Sequence, residues 1–422
     1  MRVAIDARLS DGWHGGVQQW VIGIAGALRQ LPDGDDEYLF LVRPGRHRWL
    51  DPYLGGPCRA LTVADRSTGP ALVGRIYRRA ARAVPILNAR LQPVRRNSPS
   101  PGSRTVVALS DGAIEAADVD VVHFTFQDGF LTDVPSLYQP WDLQHRHLPS
   151  FFSAAELQRR EITYRAFCDQ ARVVVAATSW IKNDLIAQLG LPPEKVAVVN
   201  VPPVTVMYPS PSATDVARVG KRLDLPPRFV FYPAQVWPHK NHLRLLAALA
   251  RLRDEDGLRV PLVCSGRRNA GFRPVEREIR RLGLVSQVRF VGFVSPIQLQ
   301  VLYRRARALV FPSLYEGWGL PIVEAFQAGL PVACSNTTSL PALVGDAAVV
   351  FDSLDPADIA KAIRRLWLDD ELADQLIERG RRRVEQLDWS KTGQILRALY
   401  RDVAGRPRSE SDAALLTATP LV

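Results

Sequence analysis

The 422 residues predict an α/β protein of two doubly wound, Rossmann-like domains facing across a cleft. Three observations carry this. Short apolar runs alternate with helix-length segments from Val3 to Val199, and the alternation restarts at Phe229. Between the two series lies a Pro- and Ser-rich stretch, Val201 to Ala213, of the kind that joins domains. Finally, Leu309 to Cys334 spells out strand, loop, helix, turn and strand almost residue by residue.

Composition narrows the classes. A hydrophobic content of 47 % is ample for two large cores, and no apolar run reaches the length that spans a bilayer. Met1-Arg-Val-Ala-Ile-Asp6 turns polar too soon for a signal peptide and reads as a first strand. Cys58, Cys168, Cys264 and Cys334 are scattered, which argues against a disulfide framework or a zinc site and fits a reducing cytosol. The net charge of +11 is concentrated, because residues 66–105 hold nine Arg and no Lys, Asp or Glu. That points to one local anionic partner. Nucleic acid is not expected, since aromatic interleaving is nearly absent and no nucleic-acid motif is present.

Val3–Ile5 is the first strand, and the glycine-rich loop from Asp6 to Val17 follows it, with a helix over about 17–31. Gly15 and Gly16 suit close approach by phosphate or sugar, although a plain turn fits them equally. Asp33-Gly-Asp35 precedes the strand Tyr38–Val42, at the wrong sheet edge for a metal site, and reads as a solvated turn. Between Leu72 and Val84 apolar residues alternate with Arg75, Arg78, Arg79 and Arg82, an amphipathic basic helix suited to anionic lipid; the alternative is a helix packed on the sheet with a solvated arginine face. Asp120 to Phe124 is a strand. The segment from Val134 to Phe152 holds Trp141, Asp142, His145 and His147, and the two histidines also read as solvated loop residues. A helix over 154–170, the strand Val173–Ala177, a helix from Trp180 capped by Ser179, and the strand Val196–Val199 complete this half.

In the second half the sheet restarts at Phe229–Tyr232. Pro233 to His242 then leads into a helix over 243–252, with Asn241 at its N-cap. Lys240 stands at that helix start, an unfavourable place for a cation unless an anion joins it. Pro261–Cys264 and Val288–Val294 are strands, the first followed by Arg267 and Arg268. Leu309–Phe311 is a buried strand, Pro321 suits a first helical turn, and Gly329 ends that helix. Glu316 therefore lies in a loop at a strand's C-terminal end and Glu324 on the helix, at the edge where open α/β sheets bind ligands. The plainer reading of Glu324 is an acid at the favourable end of the helix dipole. Gly317 and Gly319 let backbone N–H groups approach an anion. Strand Ala347–Phe351 and helices over 356–367, 371–387 and 389–403 follow.

Glu316-x7-Glu324, enclosing Gly-Trp-Gly-Leu-Pro, resembles the signature of the retaining glycosyltransferases of family four, which have the GT-B fold. The resemblance implies that Glu316 contacts the donor sugar and Glu324 the ribose. Gly317, Trp318, Gly319 and Leu320 would lie against sugar and diphosphate, Lys240 would clamp the diphosphate, and backbone at Val294 would edge the base. It likens Gly15 and Gly16 to a cleft-facing loop, and Asp142 to the acid of a His-Asp pair facing the sugar. Trp141 stands where that His is usual, with His145 or His147 as stand-ins at the acceptor side. Gln235 replaces an Arg of the diphosphate clamp, and Arg267 or Arg268 is the candidate second cation. The implied domains are 1–205 on the acceptor side, 206–388 for the nucleotide sugar, a crossover helix 389–405 and a mobile tail 406–422.

The implied reaction is metal-independent transfer of a hexose-type sugar, mannose-like as a first expectation, from a GDP- or UDP-linked donor. The acceptor would be a glycan or lipid-linked glycan of the cell envelope. No cofactor is expected beyond the donor. The protein would be cytoplasmic and peripheral on the inner face of the membrane through residues 66–105. Two rivals are a sugar-nucleotide-binding pseudo-transferase, motivated by Trp141 and Gln235, and a sugar-nucleotide epimerase of the same fold.

Overall fold

The computed structural model describes residues 1–11, 15–31, 35–63, 107–269 and 271–422. The basic segment 66–105 and Asp33 of the acidic turn lie outside the described residues. The chain divides into two units. The first comprises Met1–Ala176, Lys182–Val199 and Ser390–Thr419; the second comprises Ala177–Ile181, Asn200–Trp389 and Pro420–Val422.

In the first unit the strands are β1 (Arg2–Asp6), β2 (Glu37–Val42), β3 (Cys58–Thr62), β4 (Val121–Phe124), β5 (Ser136–Tyr138), β6 (Val173–Ala176) and β7 (Val196–Val198). They form one parallel sheet in the order β3-β2-β1-β4-β5-β6-β7, so the winding reverses between β1 and β4. The central strands are near-continuous apolar runs because helices cover both faces of a parallel sheet. The helix Trp389–Val403 joins this unit, and Tyr400 from it reaches within 2.9 Å of His123 Nδ1 on β4. Burial holds that histidine neutral, lowering its pKa to about 3.

The second unit repeats the winding. β8 (Val230–Pro233), β9 (Leu262–Ser265), β10 (Val288–Phe290), β11 (Ala308–Phe311), β12 (Val332–Ser335) and β13 (Ala348–Phe351) form a parallel sheet in the order β10-β9-β8-β11-β12-β13. Its reversal falls between β8 and β11, whose register is Ala308 to Val230.

Three local readings are corrected and one strand is added. The cap of helix Ser179–Leu189 is Thr178, whose Oγ1 accepts from Ile181 N, and Ser179 is already helical. Asn241 holds the N-cap position of His242–Glu255 but does not cap it: its φ is +59°, and its amide donates to Pro312 O and Ser353 O instead. The segment after β4 contains β5, a three-residue strand that follows Pro135. The end of the chain, expected to be a mobile tail, carries the helix Glu410–Thr417, with a capping box between Ser409 and Asp412. Val422 is buried, and its carbonyl accepts from Ser179 N.

Candidate active site

At the reversal point of the second sheet, the loops leaving β8 and β11 are fastened together. Leu314 N donates to His239 O at 2.7 Å, and Asn241 bridges to Pro312 O at 2.9 Å. Tyr232, the third residue of β8, donates to Lys240 O at 2.7 Å. The backbone around Lys240 is thereby fixed, and its Nζ lies 2.5 Å from Glu316 Oε1. Neither side chain is sealed, with exposures of 19 % and 12 %. This is a charge-assisted hydrogen bond between two loops in a half-desolvated place, where it is strong yet open to substitution by a ligand.

The loop after β12 holds the glutamate from behind. Glu316 N donates to Thr338 Oγ1 at 3.1 Å, while Thr338 and Ser339 hydroxyls donate to Glu316 O at 2.8 and 3.0 Å. Thr338 takes a φ of +53° to do so, a left-handed conformation unfavourable for a branched residue. Gly319 is the N-cap of the helix Leu320–Gln327 at φ +97°, and a Cβ there would sit 2.8 Å from Leu340 Cδ2. Only glycine meets both demands. Pro321 stands in the first turn, as the sequence predicts. Trp318 is buried and its indole N–H has no partner among the described residues.

Gln235, at the position of the missing clamp arginine, accepts from Trp237 Nε1 at 3.1 Å. Its loop is pinned by Gly266, where a Cβ would come within 2.5 Å of Ala234 O. Of the two candidate replacement cations, Arg268 donates to Phe290 O and lies over the Phe272 ring, and Arg267 lies over Phe293 at 5.3 Å. Phe293 is 57 % exposed, and Val294 beside it is half-buried.

Glu324 faces a different environment. It is buried, and Tyr303 OH donates to its Oε2 at 2.7 Å. Burial raises its pKa to about 7, and the Tyr303 hydrogen bond pulls the other way without cancelling it. It helps line a cavity of about 280 Å³.

In the first unit, Trp141 adopts φ +69°, donates from Nε1 to Thr125 O at 2.9 Å, and meets Trp20 edge-on at 6.0 Å. Asp142 accepts from Gln144 N at 3.0 Å, an Asx turn that starts the short helix Gln144–His147. His145 is not a solvated loop residue: it is 1 % exposed, with Nε2 3.1 Å from Glu161 Oε1. Burial lowers its pKa to about 4 against the pull of Glu161, so it is neutral near pH 7. His147 pairs with Asp184 at 2.8 Å. Gly15 and Gly16 are the exposed first residues of the helix Gly15–Arg29, Gly15 at φ +45°. Sequence reasoning missed the fork of Arg8 on Asp6, with Nε and Nη2 at 2.8 and 2.5 Å from the two carboxylate oxygens.

These arrangements define a class. The profile of the family described as glycosyl transferases group 1 matches residues 214–383. The O-antigen chain mannosyltransferase B of Escherichia coli is 30 % identical over 269 residues, which are 60 % of this chain and 70 % of that protein. A D-inositol 3-phosphate glycosyltransferase of Corynebacterium glutamicum (strain R) is 28 % identical over 257 residues, 58 % of this chain and 61 % of that one. Among solved structures, Anabaena Alr3699/HepE in complex with UDP and glucose superposes with a TM-score of 0.70 at 18 % identity, over 95 % of this chain and all (100 %) of its own. WaaG, a glycosyltransferase involved in lipopolysaccharide biosynthesis, gives 0.64 at 16 % identity over 96 % of this chain and 100 % of its own. The fold is GT-B. The chain belongs to the glycosyl transferases group 1 family and is homologous to mannosyltransferases of O-antigen synthesis.

Proposed function

We propose that this chain is a retaining hexosyltransferase that takes its sugar from a nucleotide-diphosphate donor. The observation that carries the reading is the Lys240–Glu316 pair at the reversal point of the second sheet. A nucleotide sugar supplies both substitutes for that bond. Its diphosphate replaces the carboxylate on Lys240, and its hydroxyls replace the ammonium on Glu316. Neither charge is then left unpaired, which is the condition for opening a half-buried ion pair without a large penalty.

The rest of the site follows. The start of helix Leu320–Gln327, preceded by the amides of Gly317 and Gly319, stabilises charge on the leaving diphosphate. The loop amides from Gly317 to Leu320 lie against the sugar and diphosphate, Glu324 takes the ribose, and Gln235 and backbone at Val294 border the nucleotide. The anomeric carbon–phosphate oxygen bond breaks as the acceptor oxygen bonds to the same face, and the leaving phosphate oxygen takes the acceptor proton. No protein nucleophile and no metal take part. Asp142, Trp141 and His147 belong to the acceptor-side unit, and so do Gly15 and Gly16. The likeness to an O-antigen mannosyltransferase favours a mannose-type sugar and an envelope-glycan acceptor. HepE binds UDP and glucose, so both UDP- and GDP-linked donors belong in the first panel. Among the described residues no helix is long and apolar enough to cross a membrane. Membrane contact from the cytoplasmic side is assigned to the nine arginines of residues 66–105.

A thermal-shift panel of nucleotide sugars on wild type and Lys240→Ala tests the donor site. One nucleotide sugar is expected to raise the Tm of wild type selectively, with the rise largely lost in the variant. A flat panel would remove the reading. The anomeric configuration of the product, read by NMR, then decides retention.

A further inference from the structure

The Glu316 loop is gripped from one further side, by residues distant in the sequence. Residues 177–181 belong to the second unit and open the helix Ser179–Leu189. Trp180 meets Tyr315 edge-on, with ring centroids 5.7 Å apart and planes at 80°. Thr178 is buried, and its hydroxyl reaches Gly317 O in a long contact of 3.5 Å. The residues on either side of Ser179 thus touch the residues on either side of Glu316. Edge-on rings have a preferred geometry, so the Trp180 contact carries orientation as well as area.

Residues 177–181 are themselves held by residues 420–422, which also belong to the second unit. Ser179 N is one of the amides that a helix start leaves without an intrahelical partner, and it donates to Val422 O at 2.9 Å. Asn200 makes a second tie. Its Oδ1 accepts from Leu421 N at 2.9 Å, and its Nδ2 donates to Ala177 O at 2.9 Å and reaches Val422 O at 3.4 Å. One side-chain amide therefore bridges the backbones of both segments. Val422 is buried and Leu421 half-buried. Each tie is to backbone, so it depends on the path of residues 420–422 more than on their side chains.

We propose that residues 420–422 act as a strap that positions Glu316. With the strap seated, Thr178 and Trp180 hold Gly317 and Tyr315, and the glutamate between them keeps its place against Lys240. With the strap released, the loop loosens and the carboxylate loses its aim. Trp180, Asn200 and Leu421 are positioning residues, because they act through the loop and not on a ligand. The ordering of the loop stands on these contacts alone; its effect on turnover rests on the donor reading above.

Three variants of the full chain test this. Leu421→Pro removes the N–H that donates to Asn200 and changes no residue of the candidate site. Trp180→Leu removes the ring on Tyr315, and Trp180→Phe restores one. Hydrogen exchange of the amides of residues 313–319 reads the loop without any donor. It is expected to quicken about tenfold in Leu421→Pro and Trp180→Leu, and to return toward wild type in Trp180→Phe. With donor and acceptor present, the first two variants should lose about tenfold in kcat. The Tm rise given by a free nucleoside diphosphate should hold, while the extra rise given by its sugar shrinks. That split follows because Glu316 is placed on the sugar and Lys240 on the diphosphate. Unchanged exchange in folded Leu421→Pro and Trp180→Leu proteins overturns the strap, whatever the donor does. Quickened exchange with kcat and both Tm rises unchanged overturns the positioning role and leaves the donor reading standing. Both rises falling together would mark a general weakening of the fold and overturn that role too. Quickened exchange in a protein whose wild type responds to no nucleotide sugar supports the strap and removes the donor reading.

Discussion

Each sheet has an ion pair at its reversal point, and the two pairs are built for different work. In the first unit Asp6 ends β1 and Arg8 lies two residues further on, the arginine fork uses both carboxylate oxygens, and the side chains are 12 % and 0 % exposed. Burial is the largest single influence and pulls the Arg8 pKa down, but Asp6 together with Asp111 and Asp128 carries the net direction up. Phe130 covers the guanidinium at 5.0 Å. In the second unit Lys240 and Glu316 come from two loops, share a single contact and are both more open. A two-pronged pair under an aromatic lid holds a loop in place. A one-pronged pair between loops can open for a ligand. Burial and valence, more than the presence of opposite charges, separate the two roles.

Removing one member of each pair tests that contrast. Arg8→Ala leaves Asp6 buried with no counter-charge, and is expected to cost about 3–5 kcal/mol of stability by urea unfolding. Lys240→Ala leaves a glutamate that water can reach. It should unfold close to wild type and lose about 10²–10³ in kcat, the usual loss for one group that stabilises transition-state charge. If Arg8→Ala lost activity at unchanged stability, or Lys240→Ala unfolded early, the roles would be reversed.

How much of this could be read in advance depended on distance along the chain. Buried parallel strands such as Val173–Ala176 and Ala308–Phe311 are unbroken apolar runs, so both sheets were legible. β3 was not, because residues 59 and 60 on that edge strand are exposed and the run is interrupted by Arg59. Glu316 and Glu324 were legible because they sit in one local string. The partners that define them were not: Tyr303 is 21 residues from Glu324, and Lys240 is 76 from Glu316. His145 read as a loop residue because its acid, Glu161, and its ring neighbour, Tyr164, lie on the next helix. The final helix was missed although Ser409 and Asp412 spell a capping box.

The carboxyls extend the comparison to pH, with opposite signs in the two units. Glu324 is raised to about 7 by burial from 4.5. A raised acid favours the fold fully below pH 4.5, and that contribution is lost as pH climbs through 7. The span from 4.5 to about 7 is about 3 kcal/mol. Glu324→Gln keeps the shape and cannot ionise, so its stability relative to wild type should rise by about that amount between pH 4 and pH 8. Glu161 in the first unit is lowered, first by the hydrogen bond from Arg146. Its contribution is present above the unfolded value and lost as pH falls through the folded one. Glu161→Gln should therefore cost stability at pH 7 and recover toward wild type in acid. The effect is the smaller of the two because Glu161 is 41 % exposed and water screens its partner. Paired urea titrations at pH 4, 6 and 8 read both slopes. Slopes of the same sign would mean that burial does not divide the two acids, and Glu324 would then be an ordinary solvated carboxylate.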